Sequence, residues 1–184
     1  MKHALTILAL LVCACSVPAS GNGTDELHIS AVLTTGERSK DSSSQTTTIT
    51  LARDAIVWER TFGGRGSGAP PLRKKFRVSP ADKGNLLKLI RANNLLVTDS
   101  IELPRKTSNF RYFEISVDIT LGEKKGAINI SGMNTAVEVK EEKLYQNTLA
   151  LVKELYRIMN SQDKNVDFAE LNLEPKVMTG GTQK

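Results

Sequence analysis

Cysteine is nearly absent: the 184 residues contain two, Cys13 and Cys15, both inside the opening "LLVCACSVPA". That scarcity excludes a disulfide-stapled fold. Histidine is equally scarce, with only His3 and His28. If an N-terminal leader is removed and Cys15 is blocked, His28 stands alone. Cys-His arrangements and His/Cys metal clusters then lack their members, and a Ser-His-Asp triad would have to rest on His28 alone, which reads as an ordinary strand histidine. Long apolar runs are missing as well. The longest, Ala4 to Val12, falls far short of the roughly 20 residues a spanning helix needs. No internal repeat is visible.

Those first residues read as an address. Lys2 and His3 give a charged start, an apolar stretch follows, and small residues come next, which is the layout of a secretory signal. Two cleavage sites compete. Val17-Pro18-Ala19 suits ordinary signal peptidase, giving a soluble secreted product. Val12-Cys13-Ala14-Cys15 resembles the bacterial lipobox, in which the final cysteine is lipidated. The lipobox reading makes residues 1–14 the signal and Cys15 the membrane anchor. It also explains why cysteine occurs nowhere else. Several acyl chains, at about 0.8 kcal/mol per buried methylene, would anchor the chain stably. Ser16 after the cysteine resembles the outer-membrane-sorted type, in a host that has such a membrane.

Behind the anchor, residues 15–26 form a polar tether. One domain is expected over 27–160, large enough to bury a core, and a loose polar tail over 161–184. Within the domain, "LHISAVLTTG" alternates as a strand, and "TTTITLARDAIVWERTF" reads as two strands turning, or one strand bending, at Arg53-Asp54. Ile56, Trp58 and Phe62 share a face, with Trp58 a packing residue. "LRKKFRV" can form another strand. Ser79-Pro80-Ala81-Asp82 announces a helix by an N-cap, a proline in the first position and an early acid. Leu86, Leu89 and Ile90 give that helix an apolar stripe, and Asn93-Asn94 a stop. Phe113, Ile115, Val117, Ile119 and Leu121 alternate with polar residues, "GEKKG" turns the chain, and "AINIS" returns with Ile128 and Ile130 inward. Glu138 to Met159 places Leu144, Thr148, Leu151, Leu155 and Ile158 along one helical face. The fold class is therefore α+β: an antiparallel sheet with two helices on one face, in the order strand, hairpin, helix, hairpin, helix.

The formal net charge is +5, and its densest cluster is Arg73, Lys74, Lys75 and Arg77. Export argues against nucleic acid, and the single aromatic within the cluster, Phe76, makes no stacking platform. An anionic surface or acidic partner is one reading of the cluster. A charged strand edge that resists aggregation is the other. "GGRGSGAPP" lacks the Gly-Lys-Ser/Thr of a phosphate loop. Its Gly63, Gly64, Arg65 and Gly66 form an exposed loop where a partner could be gripped. Glu114 and Asp118, on one strand face, lie about 13 Å apart at strand rise, wider than a glycosidase pair. No catalytic residue, metal site or cofactor is assigned.

In layout, Thr46 to Met159 resembles the small bacterial domains of the emfourin type. The stretches that carry the resemblance are "VSPADKGNLLKLIRANNLL", "FEISVDITLGEKKGAINIS" and "LYQNTLALVKELYRIM". Emfourin inhibits a secreted metalloprotease, so the resemblance implies an envelope inhibitor or another protein-binding module. The competing expectations are a structural lipoprotein bound to envelope polymer or anionic lipid, and a carboxylate-dependent hydrolase.

Overall fold

Period-two alternation runs through most of this chain, and it builds one wide sheet. A computed structural model describes residues 26–37, 43–64, 68, 70–102, 111–133, 143–171 and 173. Seven strands are present among them: β1 (Leu27–Glu37), β2 (Ser44–Ala52), β3 (Ala55–Gly63), β4 (Leu72–Arg77), β5 (Thr98–Glu102), β6 (Arg111–Leu121) and β7 (Lys124–Met133). Their spatial order is β4-β3-β2-β1-β6-β7-β5, with every pairing antiparallel except β5 with β7. Helices α1 (Pro80–Ala92) and α2 (Lys143–Gln162) complete the α+β architecture.

The register aligns the apolar residues across the strands. Ile119, Ile29 and Leu51 form one rung, and Val117, Ala31, Ile49 and Trp58 the next. All are buried, as are Ile128 and Ile130 of β7 and Phe76 of β4. The buried side of α2 supplies Leu149, Leu151, Val152, Leu155, Ile158 and Met159, and that of α1 supplies Leu86 and Ile90. With Leu95 they make a single apolar cluster.

Turns follow local chemistry. Arg53 adopts φ 57° at the β2–β3 turn, so the alternative of one bent strand gives way to a hairpin closed by Ala52 opposite Ala55. The β6–β7 turn is shorter than "GEKKG" suggests, because Gly122 takes φ 59° and Lys124 already pairs with Leu121. Ser79 caps α1 by accepting from the Asp82 backbone N–H, and Asn93 ends it. The Asn147 amide then donates to the Asn93 carbonyl, so α2 satisfies an exposed end of α1.

Three features depart from the sequence reading. The segment after Leu95 continues into β5, whose TDSIE lacks an apolar alternation strong enough to announce a strand. It lies parallel to β7 and closes the far edge. Helix α2 extends past Met159 to Gln162. The domain also does not end at 160, and residues 161–171 and Leu173 are no loose tail. Val166, Leu171 and Leu173 are buried, a short 3-10 helix spans Phe168–Leu171, and the Tyr145 hydroxyl donates to the Leu173 carbonyl. These apolar residues are too widely spaced to show a period, so only packing reveals them. The signal, Cys15, most of the tether, the helix start expected at Glu138 and the chain beyond Leu173 lie outside the described residues.

Candidate interaction surface

Strand alternation divides the basic cluster. Phe76 pairs with Ile56 inside the core, so Lys74 and Leu72 also face the helices, while Arg73, Lys75 and Arg77 face the other way. The Lys74 Nζ donates to the Asp163 carboxylate at 2.5 Å. That bond, with a second from the Asn165 backbone, holds the Asp163 carboxyl below its usual range. The four residues expected as one patch are therefore three outward cations and one cation tied to the end of α2. Arg73 leans to 3.8 Å from Glu59. Lys75 stands opposite Val57 and Arg77 opposite Ala55.

These three cations border a broad polar surface. Among the described residues, both helices cover the apolar face of the sheet, and the second face carries no helical layer. Its rungs can be read across the strands: Thr61, Thr46, Thr34, Glu114, Ser131; then Arg73, Glu59, Thr48, Val32, Ser116, Asn129, Ser100; then Lys75, Val57, Thr50, Ser30, Asp118, Ala127, Thr98. Small hydroxyl side chains dominate the middle. Glu114 and Asp118, set aside above as a catalytic pair, stand exposed in separate rungs. A shallow depression of about 200 Å³ lies between Thr34, Ser100, Glu114, Ser116 and Ser131. A second hollow, about 370 Å³, lies where the Arg53-Asp54 turn meets the start of α1 at Ser79, Pro80 and Lys83. His28 is exposed on the polar face between Ala52 and Thr120.

Beneath the helices lies a polar group that the sequence reading passed over. Thr47 and Arg60 form one rung pair, and Trp58 is the next inward residue on β3. All three are buried, with the Arg60 guanidinium carbon 4.8 Å above the Trp58 ring. The Tyr156 hydroxyl of α2 sits among them. Burial pushes its pKa up, and Trp58, Arg60 and Thr47 partly oppose that rise. The Thr47 hydroxyl, the Trp58 indole N–H and the Tyr156 hydroxyl make no hydrogen bond of good geometry. Parity was the available signal: in the series Ile56, Trp58, Arg60, Phe62, the arginine occupies an inward position. Phe62 and Leu72, at the outer end of this corner, remain 41% and 49% exposed.

Gly63 ends β3 and Gly64 follows with φ 132°, while Arg65 and Gly66 lie outside the described residues. Among the described residues no group of three or more His, Cys, Asp or Glu side chains is placed to hold a metal ion. No helix among them is long and apolar enough to cross a membrane. The sequence matches no protein-family model and no curated protein.

Proposed function

We propose that this protein is a lipid-anchored bacterial envelope protein whose α+β domain binds another protein without catalysing a reaction. The carrying observation is the sheet itself: among the described residues it is seven strands wide, covered by helices on one face, and polar with no helical layer on the other. Such a face, edged by Arg73, Lys75 and Arg77, presents hydroxyls and charge to a partner over many strands. The lipobox ending in Cys15 supports the anchor, and the emfourin-type layout supports a protease as the class of partner. Carboxylate chemistry finds less support, because Glu114 and Asp118 are separated and solvated.

The test is a pull-down from detergent-solubilised envelope with the anchored protein as bait and mass spectrometry as readout. A stoichiometric protein partner is expected, and a protease among the products would call for an inhibition assay. Recovery of polymer or lipid alone would replace the protein-binding reading with the structural one. Cys15→Ser is expected to move the protein from the membrane to the soluble fraction. Retention of that variant on membranes would remove the anchor.

A further inference from the structure

Strand β4 is an outer strand of the sheet, and its hydrogen bonding shows which of its backbone groups face outward. The Val78 N–H donates inward to the Asp54 carbonyl. Antiparallel strands alternate the direction of their backbone groups residue by residue. Phe76, Lys74 and Leu72 therefore direct theirs toward β3, and Arg77, Lys75 and Arg73 direct theirs outward.

A second contact agrees. The Arg77 N–H donates to Gln162 Oε1 at 3.0 Å, and Gln162 Nε2 donates to the Arg77 carbonyl at 2.8 Å. The side-chain amide from the end of α2 thus makes the two-bond exchange that a neighbouring strand would make. One outward residue of this edge already holds an amide in strand geometry. The next two, Lys75 and Arg73, have no partner strand among the described residues.

We propose that the β4 edge, from Leu72 to Phe76, is a docking site for an extended acidic segment of a partner protein, which adds to the sheet as an eighth strand. The inference rests on the protein-binding reading above and assigns it a place and a chemistry. Backbone groups of Lys75 and Arg73 supply the main-chain bonds, the mode known as strand addition. Arg73 and Lys75 carry their charges on the polar face, so the segment's side chains beside them are acidic. Toward the helices the next position meets exposed Leu72, which favours an apolar residue there. Acid and apolar residues thus alternate in the segment. The Gln162 amide ends the site at Arg77, so the added strand is only four or five residues long. Contacts this small belong to the weak, exchangeable class of interface.

The probe is a fluorescent peptide of sequence DVEVDV, followed by anisotropy against the full chain in detergent micelles. Binding that weakens with salt, and its absence for a lysine counterpart KVKVKV, is expected. Two backbone-methylated forms of DVEVDV, methylated at alternate residues, separate strand addition from plain charge attraction. One set should abolish binding and the other should be tolerated. Equal binding of both sets would overturn the proposal.

On the protein side, Lys75→Ala removes the charge, whereas Lys75→Pro also removes the outward N–H. Proline is tolerated at an edge position of this kind. Lys75→Pro should bind about tenfold more weakly than Lys75→Ala, and equal affinities would overturn the proposal. If circular dichroism shows Lys75→Pro unfolded, the methylated peptides decide alone. A partner recovered by pull-down that ignores both the peptides and the Lys75 variants would leave the binding module standing and refute the edge. Self-association through β4 without peptide binding would refute it in favour of a second copy.

Discussion

The two faces of this sheet are built from the same strands and could hardly differ more. Rung by rung, Ile119, Ile29 and Leu51 on the inner side are backed by Thr120, His28, Ser30, Thr50 and Ala52 on the outer side. Because neighbouring residues project to opposite faces, a single strand specifies both surfaces at once. The inner face holds its register by excluding water, and a one-residue slip would expose all of it. The outer face contributes little to that choice, so its residues can answer to a partner instead. Small β-branched hydroxyls suit that role: they fit the pleat, hold few rotamers and leave their polar atoms at the surface.

Replacing residues of the paired strands β2 and β3 on opposite faces gives the sharpest contrast. Trp58→Ala opens a void beneath α2 and should cost about 3–5 kcal/mol in urea denaturation. Thr48→Ala, one rung away on the polar face, should cost less than about 1 kcal/mol. A Thr48 loss matching that of Trp58 would mean that the outer face is covered after all.

A smaller effect is expected where the two edges of the sheet diverge. Gly126 lies under the backbone that leads into β5, and a Cβ placed there would meet the Leu95 carbonyl oxygen at 2.6 Å and the Leu96 Cα at 2.9 Å. The Ala127 N–H also donates to the Val97 carbonyl at this crossing. Backbone cannot rotate aside as a side chain does, so Gly126→Ala should destabilise by about 1–3 kcal/mol. Hydrogen exchange should locate the loss in β5. Loosening centred on β4 instead would break the link between this glycine and the far edge.

How much of this could be read beforehand depended on period. The inward residues of β6 and β7 were legible one by one from their period of two. On the helices the stripes found Leu86, Ile90, Thr148, Leu151, Leu155 and Ile158, and left Leu89 and Leu144 only half-buried. They missed the buried Tyr145, Leu149, Val152, Tyr156 and Met159, because α2 buries a wider face than one stripe. β5 was not legible, because TDSIE is held by pairing with β7 more than by its own alternation. The chain from Val166 to Leu173 was not, because its buried residues belong to no continuous element. The candidate surface was legible in composition but not in direction. Arg73, Lys74, Lys75 and Arg77 are one run in sequence, yet pleating sends Lys74 to Asp163 on the helical side. The Gln162 amide on the β4 edge joins residues 85 apart, a relation that no local pattern carries.

The least expected loss concerns the helical layer that makes the two faces different. Arg157 of α2 donates to Asp82 of α1 and to Glu154 of its own helix. The Asp82 carboxyl accepts from the Ser79 hydroxyl and from Arg157, and these bonds hold its pKa below the ordinary aspartate value. A carboxyl lowered in the folded state stabilises the fold above its unfolded pKa, about 4, and that contribution fades as pH falls through the folded value. Asp82→Asn should therefore lower stability at neutral pH and lessen the acid-induced decline below about pH 4. Solvent screens the pair, so the neutral-pH loss should not exceed about 1 kcal/mol. Urea midpoints measured from pH 2 to 7 would show the two curves converging toward the acid end. Parallel curves would place the acid sensitivity elsewhere and leave α1 and α2 joined by their apolar contacts and the Asn147–Asn93 hydrogen bond.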